Sequence, residues 1–200
     1  HGVQPPTKIS PATGKQIWAL AKGDRDFKAM REDASLPIAV QVTDNSAARI
    51  IENAEAARAD GADIAVIAPP YFLVNATPKS VLRIYRDAIR NCPLPVGIYD
   101  RGATPMVPVT DAILPEIYAE RNVVMVKDSS ANFDRMAIAV AAKKARPELK
   151  LLSGWEFKTI PYLQAGYDGL LLGGGVFNGH YANLIMQAAV QRHVDSSISK

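Results

Sequence analysis

The residue of this sequence that is best placed for chemistry is a lysine at the end of an apolar strand. Val123 to Val126 is a short apolar run rich in β-branched residues, which predicts a buried strand ending on Lys127. The polar residues that follow, Asp128 to Asn132, predict a loop and the N-cap of a helix. Burial of a lysine disfavours its ammonium form, and the free amine is a nucleophile for carbonyl carbons. For this stretch alone, a lysine at a strand exit that keeps its ammonium in water is the simpler interpretation, so the neighbouring segments decide between the two.

The amino-acid composition favours a globular domain. Of the 200 residues, 48% are hydrophobic and 22% are charged, which is enough for a sizeable core. The net charge of +3 gives no argument for nucleic acid, but it suits an anionic small molecule. Cys92 is the single cysteine, so a reducing compartment such as the cytoplasm is the simplest expectation. No run is long and apolar enough to predict a membrane span, and no signal peptide is visible.

From residue 36 onward, predicted strands alternate with predicted helices. Residues 1–34 are far less regular. The strands are predicted over 37–42, 64–68, 95–99, 123–127, 149–152 and 169–172. The helices are predicted over about 44–59, 78–89, 110–119, 131–144, 158–165 and 180–193. Near-regular βα units with apolar strands predict a parallel sheet covered by helices.

A doubly wound sheet and a barrel both fit this alternation. No Gly-x-Gly-x-x-Gly follows the first legible strand, which disfavours a dinucleotide-binding sheet. In a barrel, functional residues lie on loops at the carboxyl ends of the strands. Tyr71, Tyr99, Arg101, Lys127 and Gly154 all lie at such ends, and this shared position favours a chemical role for the lysine. Strand alternation predicts that the lysine faces inward together with residues 123 and 125.

Four segments resemble the dihydrodipicolinate synthase and N-acetylneuraminate lyase family, whose members are class I, Schiff-base-forming aldolases and lyases built on a (β/α)8 TIM barrel. The segments are Gly61 to Phe72, Pro95 to Asp100, Asn122 to Lys127, and Leu152 to Gly169. Together they cover roughly residues 36 to 190. The most specific part is the tyrosine at 99 and the lysine at 127 on consecutive strands.

The resemblance implies catalytic roles for two residues. Lys127 is similar to the lysine that condenses with the ketone of a 2-oxo acid, such as pyruvate or a sugar-derived 2-keto acid. The resulting iminium is an electron sink, so a bond β to it can break or form. Tyr99 is similar to the tyrosine that passes protons at the substrate oxygens.

The resemblance also implies a binding site and a set of partners. The residues expected to bind the substrate are Gly154, through its backbone, Arg101, Tyr71 and Leu171, the last at the floor of the barrel. No cofactor and no metal are expected, since His180 and His193 show no ligand spacing with other candidates. The expected partners are a small 2-oxo acid and further copies of the chain, as a dimer or tetramer. Neither nucleic acid nor a membrane is expected.

The sequence also departs from the family pattern. The Gly-Thr-Thr-Gly-Glu run with which the family grips the substrate carboxylate is absent, and residues 1–36 offer no convincing second strand. We therefore expect one barrel domain over residues 1–200, incomplete at its N-terminal strands. Phe72 stands where the synthase has a tyrosine lent by a neighbouring subunit, and phenylalanine cannot relay a proton. This departure favours an aldolase or dehydratase of hydroxylated 2-oxo acids over the lysine-pathway synthase.

Two other interpretations stay open. The backbone of the loop Gly173–Gly175, after the last predicted strand, could hold a phosphate, as loops after the last strands of barrels do. That would suit an aldolase of phosphorylated sugars. The chain could instead be a non-catalytic barrel retained for assembly or ligand sensing, which the missing carboxylate grip would explain. The intact pair Tyr99 and Lys127 favours an enzyme.

Overall fold

Six parallel strands in chain order form the sheet of this protein, whose computed structural model describes residues 37–103 and 106–198. The strands are β1 (Ala39–Gln41), β2 (Ile64–Ile67), β3 (Val96–Asp100), β4 (Val123–Asp128), β5 (Lys150–Ser153) and β6 (Gly169–Leu170). Each strand pairs in parallel with the next, so the spatial order is β1-β2-β3-β4-β5-β6. A doubly wound sheet reverses its strand order part-way across, whereas a barrel keeps it. The described residues are therefore six consecutive βα units of a (β/α)8 TIM barrel, and the predicted fold class is confirmed. The expectation that the barrel is incomplete at its N-terminal strands concerns residues 1–36, which lie outside the described residues.

Helices follow the strands as predicted. They are α1 (Ala47–Ala59), α2 (Pro78–Asn91), α3 (Leu114–Tyr118), α4 (Phe133–Ala145), α5 (Thr159–Gln164) and α6 (Gly175–Ile198). Short 3₁₀ turns, Asp111–Ile113 and Glu156–Lys158, lead into α3 and α5. The last helix begins five residues earlier than predicted and is kinked at Asn178. Within the described part of the chain, no helix combines the length and the apolar character needed to cross a bilayer.

Side chains cap the starts of α1 and α2. Ser46 caps α1, and its Oγ accepts a hydrogen bond from the backbone N–H of Arg49. Thr77 and Ser80 form a reciprocal capping box at α2, which starts with Pro78. Such caps satisfy N–H groups that have no partner within the helix. They fix where each helix leaves the carboxyl edge of the sheet.

The two faces of the sheet pack in different ways. Val96 and Ile98 of β3 point outward into the main core, which also contains Tyr85 and Ile117 of the helix layer. On the inner face, a Cβ added to Gly97 would lie 2.9 Å from Cγ of Met125 and 3.3 Å from a methyl carbon of Val66. A side chain at 97 would therefore collide with the inner layer, which explains the glycine in the middle of a strand.

One register irregularity corrects the sequence prediction for β4. Val96 pairs with Val123, but Gly97 pairs with Met125, so Val124 is an extra residue relative to β3. An extra residue reverses the alternation beyond it. Val123 consequently lies in the outer core with Val96, contrary to the prediction that it shares the inner face. Met125 and Lys127 remain on the inner face, as predicted.

The outermost described strands are shorter than predicted. β1 covers three residues and β6 two, where the sequence patterns suggested 37–42 and 169–172. Each has one neighbouring strand among the described residues, so fewer ladder hydrogen bonds define its ends. The ladder still reaches Leu171, whose N–H donates to the carbonyl of Ser153 at 2.8 Å.

Candidate active site

Tyr99 and Lys127 lie side by side at the carboxyl ends of β3 and β4. The two residues are paired in the parallel register, and both side chains are half-buried. Each lies two residues after an inner-face residue of its own strand, Gly97 in β3 and Met125 in β4, and so points to the same inner face. The Nζ atom of Lys127 lies 4.3 Å from the centroid of the Tyr99 ring. At this distance the negative face of the ring attracts the ammonium.

Gly154 lies directly against this pair. It follows Leu152, which is paired with Lys127, by two residues and so continues on the inner face. A Cβ added to Gly154 would lie 2.9 Å from Cε of Lys127 and would overlap Oγ of Ser129. The lysine stem and the serine hydroxyl therefore occupy the space that a side chain at 154 would need. Ser129 was not among the predicted site residues, although its position two residues after the lysine was a usable signal.

The other predicted binding residues lie at the same edge of the sheet and are solvent-exposed. Arg101 directly follows β3, and its side chain is exposed. Tyr71 is 62% exposed, and its backbone N–H donates to Oδ1 of Asn45 at 3.0 Å. Leu171 is 41% exposed, and the alternation that continues from β6 directs it to the inner side. Their contacts with a substrate stay predictions.

Two buried carboxylates behind the pair were missed by the sequence analysis. Asp100 follows Tyr99 and Asp128 follows Lys127, and the two aspartates are paired in the register on the opposite face of the sheet. Their exposed fractions are 3% and 1%. The predicted strands 95–99 and 123–127 each ended one residue before an aspartate, because aspartate is rarely buried without a partner. The available signal was their place in the alternation after apolar strand residues.

Asp100 is bound by an equally buried arginine. Nη2 and Nε of Arg135, in the first turn of α4, donate to the two carboxylate oxygens at 2.8 and 2.9 Å. The hydroxyl of Tyr118 donates to the same carboxylate at 3.1 Å, and the N–H of Gly102 at 2.8 Å. The carboxylate is thus saturated with donors and charge-compensated, as burial of an ion requires.

Asp128 is satisfied by neutral donors. It accepts hydrogen bonds from Oγ and the backbone N–H of Ser130, at 2.7 and 2.9 Å, and from the hydroxyl of Tyr167 at 2.8 Å. Burial raises the pKa of Asp128, and the nearby Asp100 raises it further, while the hydrogen bonds from Ser130 and Tyr167 oppose the change. The strand end that carries Lys127 is therefore tied to the start of α4 and to the segment after α5.

An aromatic cluster supports the chain after Gly154. The Trp155 ring contacts the buried Tyr162 edge-on, with centroids 6.0 Å apart, and Phe133 at 6.1 Å. Nζ of Lys158 lies 5.4 Å from the Trp155 ring centroid. Such ring pairs hold defined geometries. The cluster fixes the direction in which the chain leaves β5 beside Lys127.

The glycine loop after β6 already holds a carboxylate. The N–H of Gly174 donates to a carboxylate oxygen of Glu156, and a Cβ at Gly173 or Gly174 would come within 3.1–3.3 Å of that carboxylate. A phosphate at this loop would have to displace Glu156 or lie beside its negative charge. The structure therefore does not favour the phosphate-loop interpretation.

These features define a (β/α)8-barrel protein with a lysine, a tyrosine and a glycine grouped at the carboxyl edge of its sheet. The profile of the Dihydrodipicolinate synthetase family matches residues 29–197, and the chain belongs to this family. Among curated relatives, it is 31% identical over 130 residues to the 4-hydroxy-tetrahydrodipicolinate synthase of Anaeromyxobacter sp. strain Fw109-5, covering 64% of this chain and 42% of the relative. The chain spans about half the length of the curated relatives it matches.

Solved structures of the family have the same fold. The dihydrodipicolinate synthase of Bacteroides thetaiotaomicron superposes with a TM-score of 0.72 and 25% identity, over 87% of this chain and 59% of that one. A prophage protein of the dihydrodipicolinic acid synthase family from E. coli K12, solved in complex with pyruvate, superposes with a TM-score of 0.71 and 21% identity, over 87% of this chain and 61% of that one.

Proposed function

We propose that this protein is a Schiff-base-dependent lyase, an aldolase or dehydratase, acting on a 2-oxo acid. The observation that carries the proposal is the distance of 4.3 Å between Nζ of Lys127 and the Tyr99 ring at the carboxyl edge of the barrel. A nucleophile and a proton-transfer group are thereby within reach of one bound substrate. Membership in the Dihydrodipicolinate synthetase family supports the same class of chemistry.

In the proposed reaction, Lys127 attacks the C2 carbonyl carbon of the substrate. The ammonium first gives one proton to solvent, and the lone pair of the resulting amine forms the new C–N bond. The carbonyl oxygen takes one proton from the nitrogen and one from solvent and leaves as water, so overall an ammonium and a ketone become an iminium and water. The iminium then accepts the electron pair of the C3–C4 bond in a 4-hydroxylated substrate, giving an enamine and an aldehyde. As that bond breaks, the Tyr99 oxygen accepts the proton of the C4 hydroxyl while its own proton passes to solvent, and condensation is the reverse sequence.

The proposed substrate class is pyruvate or a hydroxylated, sugar-derived 2-oxo acid. The pyruvate complex of the E. coli prophage protein supports the pyruvate part. Phe72, at the position of the synthase tyrosine, has no hydroxyl to relay a proton and is 54% exposed. This favours sugar-derived substrates over the synthase reaction of the Anaeromyxobacter relative.

The decisive experiment is the trapping of the imine. The protein is incubated with pyruvate and borohydride, digested, and analysed by mass spectrometry. We expect one stable adduct, on the peptide that contains Lys127, and none in the Lys127→Ala variant. Lys150→Ala is the matched control, because it removes an exposed lysine whose Nζ lies 3.7 Å from Oδ1 of Asp168 and is not part of the candidate catalytic pair. That variant should form the adduct as the wild type does.

Three other outcomes would contradict parts of the proposal. Pyruvate binding without an adduct would favour the non-catalytic, ligand-sensing barrel. An adduct on Lys150 or Lys158 would mean that another lysine is the nucleophile. No adduct with pyruvate or with a panel of sugar-derived 2-oxo acids would exclude Schiff-base chemistry altogether.

We also propose that the protein forms a homo-oligomer, a dimer or tetramer, in the cytoplasm. Exposed apolar side chains support association: Phe157 is 88% exposed and Phe177 is 89% exposed. The single cysteine, Cys92, is free, which fits a reducing compartment. Sedimentation analysis should give a mass of two or four chains, and a monomer at micromolar concentration would contradict the oligomer.

A further inference from the structure

The largest fully buried side chain of the described residues is the charged one of Arg135. It is 2% exposed, and its guanidinium donates to several acceptors at once. Beyond Asp100, Nη1 donates to the carbonyl of Val109 at 3.0 Å and to Oδ1 of Asp111 at 2.5 Å. One side chain therefore joins the end of β3, the segment that follows it, and α4. The end of β3 carries Tyr99, and α4 follows the loop that begins after Lys127 at the end of β4.

The position of Arg135 in α4 connects it to the lysine strand. The side chain of Asn132 caps α4 by accepting from the N–H groups of Asp134 at 2.8 Å and Arg135 at 3.3 Å. The loop before this cap begins directly after β4, and the N–H of Ser129 donates to the carbonyl of Asp100 at 2.8 Å. The ion pair of Arg135 and Asp100 thus links the start of α4 to the end of β3. Together with the loop after β4 and the hydrogen bond of Ser129, it joins the ends of β3 and β4 in a closed ring of contacts.

Stability alone is a poor explanation for this ion pair. Burying two charges costs desolvation energy, and well-packed apolar residues often replace such pairs with no loss of stability. A bidentate guanidinium–carboxylate pair does, however, fix orientation more tightly than apolar packing. Asp100 is adjacent to Tyr99 in a strand, so fixing the outward direction of one side chain fixes the inward direction of the other.

We propose that Arg135 is a positioning residue, which by holding Asp100 keeps the Tyr99 side chain in register with Lys127 for proton transfer. This inference rests on the proposed function. Arg135 itself is on the outer side of the sheet, so its effect on the reaction passes through Tyr99. Removing the pair should therefore impair proton transfer far more than imine formation.

The test uses two readouts that need only pyruvate. Borohydride trapping at varied pyruvate concentration measures imine formation on Lys127. The rate at which the methyl hydrogens of pyruvate exchange with deuterium oxide, followed by NMR, measures proton transfer. In that exchange the Tyr99 oxygen accepts a C3 proton of the iminium while its own proton passes to solvent, the enamine forms, and a deuteron from solvent is added back at C3 by the reverse path.

The main variant is Asp100→Asn combined with Arg135→Gln, which leaves no unpaired buried charge. We expect the half-saturating pyruvate concentration for trapping to change less than about threefold, and the exchange rate to fall about 10- to 100-fold, as misplacement by about 1 Å can cause. In a Tyr99→Phe background the same change should lower the exchange rate less than about threefold further, because effects that act through one group are not additive. Arg135→Lys, which keeps the charge but loses the fork, carries the same expectation and serves if the double variant does not fold.

Arg146 provides a matched control at the opposite edge of the sheet. Its Nη1 donates to the carbonyls of Tyr118 and Glu120, and Nη2 to that of Val123, at 2.9–3.0 Å, near the start of β4. Arg146→Lys should lower the melting temperature and leave both readouts of the folded protein unchanged.

The outcomes separate the two proposals. A wild-type protein that forms no adduct overturns the proposed function, and the positioning role with it. A wild-type adduct together with a loss of exchange that is equally large with and without the Tyr99→Phe substitution overturns the positioning role alone. So does a loss of trapping as large as the loss of exchange.

Discussion

At the scale of single residues, Tyr99 has two separable properties, its ring and its hydroxyl. Tyr99→Phe keeps the ring face that lies 4.3 Å from Nζ of Lys127 and removes the proton carrier. We expect folding to stay nearly intact and turnover to fall about 10²–10⁴-fold, the usual share of general acid–base catalysis. Steady-state kinetics on the best substrate of the panel measures this. Tyr181→Phe, at a tyrosine that is 66% exposed, should leave turnover as it is. Unchanged turnover in Tyr99→Phe would assign this tyrosine to packing.

Gly154 permits a second prediction, because its surroundings leave no room for a methyl group. In Gly154→Ala, the new Cβ would overlap Ser129 Oγ and press on Cε of Lys127. We expect a loss of about 1–3 kcal/mol in the free energy of unfolding from overpacking, together with a marked loss of the borohydride-trapped adduct. Urea denaturation and mass spectrometry measure the two effects.

Gly166→Ala is the control for this substitution. Gly166 has a φ of +104°, and a Cβ there would meet no atom within 4 Å. That variant should cost stability through backbone strain while leaving the adduct intact. Equal adduct formation in both variants would show that the space beside Lys127 is not needed for the reaction.

At the scale of elements, the end of β4 carries a carboxylate whose titration should be visible in protein stability. Burial raises the pKa of Asp128 above its ordinary value of 3.8, so the folded protein keeps a proton that the unfolded chain has already lost. Stability therefore falls as the pH rises from the unfolded value through the raised folded value, and is constant above it. Other carboxylates have lowered pKa values, such as Glu120 beside Arg90, and act in the opposite direction.

The contribution of Asp128 is therefore measured as a difference between two proteins. Asp128→Asn removes the titration and keeps an acceptor for Tyr167. Free energies of unfolding from urea titrations, taken from about pH 3.5 upward, should show the wild type losing stability relative to the variant as the pH rises. A constant difference across this range would mean that the carboxyl group titrates normally despite its burial.

The elements that sequence predicted well are those whose signals are local. The cap predicted within Asp128 to Asn132 is Asn132, which determines the start of α4 by hydrogen bonds within three residues, and the structure confirms it. The register shift at Val124 depends on the neighbouring strand and has no local signal, so the predicted face of Val123 was wrong. The ion pair of Asp100 and Arg135 joins residues far apart in the sequence, and composition rules direct both to the surface.

At the scale of the whole molecule, the alternation of strands and helices predicted the fold class, and a strand order that follows the chain confirmed it. The grouping of Tyr99, Lys127 and Gly154 also follows from this order, because successive parallel strands end at one edge. The sequence could not predict how exposed each side chain at that edge is. Arg101 and Tyr71 share the edge but are exposed, and their exposure depends on how the neighbouring βα units pack around them.

The alternation of inward and outward side chains at the ends of β3 and β4 has a consequence for how such a chain can vary in length. In each strand the reactive side chain, Tyr99 or Lys127, faces inward, and the aspartate that follows it, Asp100 or Asp128, faces outward. Insertion or deletion of one codon at the ends of these strands, beyond the extra residue Val124 of β4, would turn a reactive side chain toward the helices and a buried acid toward the substrate. Length changes are therefore compatible with this chemistry mainly in the connecting segments away from the strand ends, and these segments are the useful targets for loop grafting and indel libraries.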